Sequence, residues 1–410
     1  MEAVVRRSAG LDVHRNNVVV TVLIEQDDGT IFEETRAFGT FRKDRRELCV
    51  WLTEHGIELA VMESTSIYWK AIFSALEGAG ITAHVVNARH VKNVPGRKTD
   101  VKDSQWLATL ARFGLLRPSF IPPEDLRELR LLSRRRMKLQ GMLAGEKNRL
   151  HKTLDDAGIR LGSVVSDING VSARAIIEGL IDGVSPSQLM SFVRGRLKSK
   201  IPVLLDALDG SLSKRHLFVL RHIHNHIRFL EQELQETDLY LLAAMNPYRT
   251  QWEILQTIPG VDQISAAMLI IEFGVDMKRF GSMKRLASWA GMCPGNNESA
   301  GKRKSGRTRK GNRMVRQLLC EISNAARRTN SQFKGKYKGL VIRRGHKRTI
   351  IAIGHKILRI IFVLLKKLVA YRDPSIDYEA LLVKRNAPRW IQALKKFGYL
   401  QHDDLTPTAA

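Results

Sequence analysis

Cysteine is scarce. The 410 residues hold three, Cys49, Cys293 and Cys320, too few and too scattered for a disulfide framework or a zinc site. A reducing cytoplasm is then the expected compartment. The amino terminus lacks the apolar core of a signal peptide. Long uncharged apolar runs are missing as well. The greasiest stretch, Ile350 to Ala370, is broken by His355, Lys356, Arg359, Lys366 and Lys367. That excludes a membrane span and predicts a helix that is buried or faces a partner. No glycine-rich phosphate loop ending in Lys-Ser or Lys-Thr occurs, so nothing points to ATP-driven chemistry. Acid is almost absent from residues 301–372, which carry 22 Lys+Arg against the single acidic residue Glu321, a balance of +21.

The chain is long enough for two or three domains and, at 44% hydrophobic residues, for a proper core. Its net charge of +26 is unevenly placed. Residues 1–115 hold 15 basic and 15 acidic residues and are neutral; the whole excess lies beyond them. A field of that size favours a polyanion and makes binding strongly salt-dependent. The plainer reading is a solubilising surface or a ribosome-like tail. Gly-rich turns and apolar positions are interleaved with the charge rather than segregated from it, which favours a folded nucleic-acid-binding region.

Residues 4–37 read as three strands in a meander, with a turn at Asp27-Asp28-Gly29. A helix is expected over 42–55, a strand over 58–62, a helix over 66–77 and a strand over 81–86. That order predicts an RNase H-like domain, a mixed sheet flanked by helices, over 1–115. Pro122-Pro123-Glu124-Asp125 then opens a long helix. Leu132, Leu139, Leu143, Leu150 and Leu154 recur at sevens and fours, and Leu220, Ile223, Ile227, Leu230 and Leu234 at threes and fours. These heptad-like seams predict an α-helical coiled-coil region over 116–245, as an antiparallel arm or a dimerisation element, with ordinary bundle core as the plain alternative. A basic, mainly α-helical domain is expected over 246–410. Within it Thr257-Ile258-Pro259-Gly260-Val261 resembles a helix-hairpin-helix turn whose backbone N–H groups could meet a phosphate. Asp262 replaces its second glycine, so a simple packing turn is as good a reading. Cys293 to Gly306 reads as a flexible loop, and helices are expected over about 312–329 and 348–371.

Four carboxylates carry the chemistry. Asp12 and Glu63 end strand-like runs; Asp100 and Asp103 are placed at i,i+3 on the opening turn of one helix. Singly, each is more often a turn former or an N-cap. Together, in a neutral domain of a basic protein, they suit a pair of divalent ions that activate and stabilise the oxygens of a phosphoryl displacement. Hard oxygen donors without a His/Cys cluster point to Mg2+ or Mn2+. His14 follows Asp12 and is read as structural or DNA-facing. Ser299 precedes the basic run Lys302, Arg303, Lys304, Arg307, Arg309, Lys310, Arg313 and Arg316. On physics alone such a serine is usually a hydrogen-bond donor, since no histidine nearby in sequence could act as its base; Ser305 is an equal rival.

Gly10-Leu11-Asp12-Val13-His14, Glu63-Ser64-Thr65-Ser66-Ile67-Tyr68-Trp69 and Lys98-Thr99-Asp100-Val101-Lys102-Asp103-Ser104 resemble the DEDD-type insertion-sequence transposases. That family includes Piv-type DNA invertases and bridge-RNA-guided recombinases. The resemblance continues through Ile258-Pro259-Gly260-Val261, Phe280 to Gly291, Pro294 to Gly301 and Lys310-Gly311-Asn312-Arg313. It implies a RuvC-like nuclease domain, a coiled-coil arm and a carboxy-terminal domain with a nucleophilic serine. By similarity Asp12, Glu63, Asp100 and Asp103 form the metal site, and the serine maps onto Ser299, in Ser299-Ala300-Gly301 rather than a direct Ser-Gly. The implied reaction is transesterification of DNA through a phosphoserine link, in a dimer or tetramer, guided by a non-coding RNA. Arg127, Arg130, Arg134, Arg135, Arg136 and the run from Lys302 to Arg316 are the expected nucleic-acid contacts. The implied setting is a bacterial or archaeal cytoplasm, associated with the nucleoid. The rival readings are a RuvC-like endonuclease using metal-activated water and a non-catalytic nucleic-acid-binding protein.

Overall fold

The computed structural model describes residues 3–64, 66–92, 94, 102–295, 297–299, 301–305, 308, 310–374 and 378–399. They fall into two compact units that divide between Glu124 and Asp125.

The first unit is built on a five-stranded sheet. β1 (Arg7–Val13), β2 (Asn17–Glu25) and β3 (Ile31–Gly39) form the antiparallel meander; β4 (Leu59–Glu63) pairs parallel with β1, and β5 (Ala83–Val86) parallel with β4. The order β3-β2-β1-β4-β5 is that of the expected RNase H-like domain. Side chains alternate across the pleat, so each strand serves two faces. Ala9, Leu11, Val13, Val18, Val20, Val22, Ala60 and Met62 share one face and one core. Two helices, α1 (Arg42–Glu54) and α2 (Trp69–Gly78), bury Leu48, Trp51, Leu52, Ile72 and Leu76 against it. A short helix, α3 (Ala88–Lys92), follows β5.

The opposite face carries α4 (Asp103–Arg112), and here the sequence is small and polar rather than apolar. Ser8 and Gly10 lie on this face, with Thr21 paired to Gly10. A Cβ on Gly10 would come 2.0 Å from the Ser104 carbonyl oxygen and 2.4 Å from the Ala108 nitrogen, so the helix backbone lies directly on the strand. Ser104 Oγ bonds Thr21 Oγ1 at 2.8 Å, and Ser8 Oγ donates to the Ala108 carbonyl at 3.1 Å. Val61, Val86, Val91, Leu107, Leu110 and Ala111 complete a smaller apolar cluster beside this contact.

In the second unit α5 (Glu124–Asp156) and α10 (Lys214–Ala243) run antiparallel, as the pairs Arg136–Asp238, Glu146–His226 and Asp156–His216 require. The leucine seams meet in one core, closed by α6 (Leu161–Val164), α7 (Val171–Ile181), α8 (Pro186–Leu189) and α9 (Ile201–Leu208). Leu139, Leu143, Leu150 and Leu154 are thus buried against Leu220, Ile223, Ile227, Leu230 and Leu234 of the same chain. Leu132 lies outside that core and is half-buried.

The remainder continues the same unit. α11 (Arg249–Gln256) and α12 (Gln263–Phe273) flank the Pro259-Gly260 turn. Gly260, at φ +87°, is wedged onto another helix, α14 (Arg313–Ala326): a Cβ there would lie 2.5 Å from the Ala326 nitrogen. Asp262 caps α12, its carboxylate accepting from the Ser265 amide at 2.7 Å. The turn is therefore spent on packing, and an acid already occupies the helix start that a phosphate would need. α13 (Met283–Trp289) leads to a β-hairpin, β6 (Asn297–Ser299) and β7 (Lys302–Ser305), where sequence alone suggested an irregular loop. Gly301, at φ +73°, supplies the left-handed residue of its tight turn. The next helix, α15 (Gln332–Lys367), starts well before the expected residue 348 because Ser331 caps it; it breaks at Gly345, whose φ of 70° and ψ of 167° are not helical. Its apolar stretch is buried, through Ile350, Ile353, Ile357, Leu358, Ile361 and Phe362. The chain's last described helix, α16 (Tyr378–Lys396), was not anticipated from sequence. Among the described residues no helix is long and apolar enough to cross a membrane.

Gly10→Val places branched carbons inside the α4 backbone. It should cost about 3 kcal/mol, the upper range for overpacking, measured as a shift of the denaturant midpoint. Gly29→Ala, whose Cβ meets nothing within 4 Å, carries only the strain of its φ of +81° and should cost less.

Candidate metal centre and serine hairpin

Three of the four carboxylates come to the same end of the sheet. Asp12 lies two residues after Gly10 and so on the face that α4 covers. Glu63 lies two residues after Val61, which is paired to Gly10 and packs against α4, so it takes that face on the neighbouring parallel strand. Leu11↔Met62 is the last pair of that ladder, and Asp12 and Glu63 follow it side by side. Helix α4 runs back along β1: Ser104 sits at Gly10 and Ala108 at Ser8, while the Arg112 carbonyl accepts from the Val4 amide at 2.9 Å. Its first residue, Asp103, is thereby delivered to the strand end that carries Asp12.

The helix begins at Asp103, with Lys102 non-helical at ψ 144°. Helix α4 thus opens at Asp103; Asp100, expected with it on one helical face, lies outside the described residues. His14 Nε2 is 3.0 Å from Asp12 Oδ2, on a side chain 58% exposed, so it acts as a partner to the carboxylate at the mouth of the site. The donor set, all carboxylate oxygens at a strand end and a helix start, suits a hard divalent cation. Among the described residues no three Asp, Glu, His or Cys side chains are drawn close enough to hold an ion. Asp12, Glu63 and Asp103, with Asp100, are the residues that would hold it.

In the second unit Ser299 pairs with Lys302 at the turn of the β6–β7 hairpin, whereas Ser305 pairs with Asn297 at its base. A further bridge, Pro294↔Thr308, continues the ladder toward the root. Arg307 and Arg309 lie outside the described residues, and Ser299, Lys302, Arg303 and Lys304 are described through their backbone. Lys310 and Arg313 follow the hairpin, Arg313 opening α14 with Arg316 one turn on.

The basic residues of α5 divide. Arg130 is largely buried, donating to the Ile271 carbonyl at 3.3 Å and to the Glu272 carbonyl. Burial pulls its pKa down to about 10, against the neighbouring Glu272 carboxylate, which raises it. Arg136 forms a two-pronged pair with Asp238. These two guanidinium groups are matched within the fold. Arg134, 44% exposed, reaches Glu272 at 3.3 Å, and Arg135, 53% exposed, stands 4.0 Å from Glu233. Arg127 is also engaged by an interaction of its own. Sequence reasoning missed Glu272 altogether. Its place inside the apolar run Met268 to Phe273 was the available signal, since a lone acid in a buried helix demands partners.

Residues 9–159 match the family model of a DEDD transposase, and residues 252–338 match that of the transposase IS116/IS110/IS902 family. The chain belongs to the IS110 family of DEDD transposases. The transposase for insertion sequence element IS1111A of Coxiella burnetii (strain RSA 493 / Nine Mile phase I) is 25% identical over 306 residues, covering 72% of this transposase and 74% of that protein. An insertion element IS900 42 kDa protein of Mycobacterium paratuberculosis is 25% identical over 300 residues, covering 68% and 74%. Among solved structures, Thermus thermophilus RuvC aligns at a TM-score of 0.21 and 14% identity, over 28% of this chain and 99% of its own. RuvC from the same organism in complex with a Holliday junction substrate aligns at 0.21 and 13%.

Among the described lysines of the basic region, Lys336 has a shifted pKa. Burial, with Lys356 and Arg359 nearby, lowers its pKa to about 8. A base lowered in the fold binds fewer protons than it does unfolded, so between pH 8 and its unfolded value this group makes stability rise with pH. Lys336→Met should flatten that part of the stability–pH curve relative to the parent, read by denaturant titration at successive pH values.

Proposed function

We propose that this protein is a DNA transposase/recombinase that cuts and rejoins strands through a covalent phosphoserine. What supports the reading is the pairing of two transposase family matches with carboxylates converging on one end of an RNase H-like sheet. Ser299 Oγ forms a bond to the phosphorus of a phosphodiester while a P–O bond to the departing strand breaks. The serine proton leaves to base, and the departing strand takes up a proton as its free hydroxyl. A hydroxyl of the partner DNA then attacks the phosphoserine, restoring Ser299 and closing a new phosphodiester. Bond energy is conserved through the covalent link, so no nucleotide hydrolysis is needed. Asp12, Glu63, Asp100 and Asp103 would hold a divalent metal, Mg2+ or Mn2+, which would supply Lewis-acid stabilisation of charge on phosphate oxygens.

The chain's own residues do the rest. The N-terminal end of α4 adds a favourable dipole to a site that gathers negative charge. Lys302, Arg303, Lys304, Lys310, Arg313 and Arg316, with Arg307 and Arg309, neutralise the backbone that Ser299 approaches. The same field suits a non-coding guide RNA whose pairing selects the target, leaving the protein to read shape and backbone. Strand exchange between two duplexes requires at least two active sites, hence a dimer or tetramer.

The test is a denaturing gel of protein incubated with labelled DNA copied from the flanks of its gene. Parent protein should carry label that survives detergent; Ser299→Ala should carry none, and Asp12→Ala should neither cleave nor form the adduct. Cleavage by Ser299→Ala at the parent rate would favour a nuclease using activated water. RNA recovered with the protein, from cells expressing that flanking DNA, should be dominated by one transcript from beside the gene; bulk cellular RNA alone would contradict guiding.

A further inference from the structure

The serine hairpin leaves and returns through a narrow root. The excursion from Met292 to Lys310 leaves and returns where two glycines touch: a Cβ on Gly311 would lie 2.2 Å from the Gly291 nitrogen and 2.5 Å from the Trp289 carbonyl oxygen. The Asn312 amide donates to that carbonyl at 3.0 Å. Asn312 then turns both ends of its side chain to account. Its Oδ1 caps α14, accepting from the Met314 and Val315 amides at 3.0 and 3.2 Å. Its Nδ2 donates at 2.7 Å to Glu272 Oε2. The cap fixes which end of the amide is oxygen, so the NH2 must face the carboxylate.

Glu272 is 3% exposed, and its carboxylate also meets Arg130 at 3.5 Å and Arg134 at 3.3 Å. The long helix α5, the buried helix α12 and the return limb of the hairpin thus share one carboxylate. Nothing in the chemistry of strand exchange calls for a buried acid there, and a pure packing role would be served by an apolar residue at lower desolvation cost.

We propose that Glu272 and Asn312 form a latch that orients the hairpin, making both of them positioning residues for Ser299. The inference rests on the serine reading above. From the Pro294–Thr308 bridge to Ser299 is five residues, a reach of up to roughly 17 Å. On a lever of that length a tilt of about 5° at the root moves the tip by roughly 1.5 Å, and misplacement of about 1 Å can cost on the order of 100-fold in rate. The latch removes that tilt, because displacing Asn312 would take the amide donor from the buried Glu272 Oε2 and uncap α14 together.

The test separates the latch from the cap. Asn312→Asp keeps a good N-cap but sets a second carboxylate against Glu272. Glu272→Gln combined with Asn312→Asp returns one amide and one carboxylate, reversed, with the net charge of the parent. Full-length variants, purified with the RNA they carry, are mixed with saturating labelled flanking DNA well below their melting temperatures. The rate of detergent-resistant adduct is measured beside hydrogen exchange over residues 292–310. Asn312→Asp should slow the adduct at least tenfold and speed exchange in that segment, and the double variant should recover to within about threefold of the parent. A merely structural role would lower the melting temperature and leave the rate of the folded protein unchanged. Parent-like rate in Asn312→Asp, or a double variant as slow as the single, overturns the latch. Unchanged exchange over 292–310 overturns it whatever Ser299 does, and adduct persisting in Ser299→Ala overturns the serine reading instead.

Discussion

The contact between the α4 backbone and Gly10 governs the first unit. A sheet face usually meets a helix through large apolar side chains, which hold the two about 10 Å apart. Here one strand offers Ser8 and Gly10, and the helix settles onto the strand itself, tied by Ser104–Thr21 and Ser8–Ala108. Close approach has a consequence at the helix start. With Ser104 pinned over Gly10, Asp103 arrives at the end of β1, and the parallel register of β1 and β4 sets Glu63 beside Asp12. Asp12, Glu63 and Asp103, from distant parts of the sequence, are carried to one end of the sheet because Gly10 has no side chain. A set of carboxylate oxygens at that strand end suits a hard divalent cation.

A comparable logic holds in the second unit, with charge in place of sterics. Glu272 is a buried acid whose partners come from α5 and from the root of the hairpin. Burying it is tolerable only with those partners in place. The pairing ties α5 to α12 and to the start of α14. It also draws Arg130 away from solvent and into the fold. Basic residues on one helix thus serve different ends. Arg130 and Arg136 hold helices together, while Arg134 and Arg135 keep much of their surface.

The strand order, the two long helices and the burial of Ile350 to Phe362 were legible because hydrophobic periodicity is local and strong. The carboxylates were legible as residue types, and their shared face follows from strand parity. The finer placements were not. That α4 starts at Asp103 depends on Lys102 being extended, which propensity does not dictate. The hairpin at 297–305 hides in a sequence of Asn, Ser, Gly and Lys with no β-branched residue, where a single glycine turn decides. The start of α15 at Gln332 was not read from the sequence; Gly335, Gly339 and Gly345 weaken the helical signal there, although only Gly345 breaks the helix. Pairing of the leucine seams within one chain, and the use of Gly260 for packing, depend on partners far away in sequence.

The central claim is that one end of the sheet gathers Asp12, Glu63 and Asp103 around a divalent cation. Anomalous diffraction from crystals soaked in Mn2+ tests it most directly. Manganese density is expected bounded by those three carboxylates, with Asp100 drawn in from the segment before α4. Manganese bound elsewhere, or those side chains remaining apart in a crystal that has taken up the ion, would contradict it.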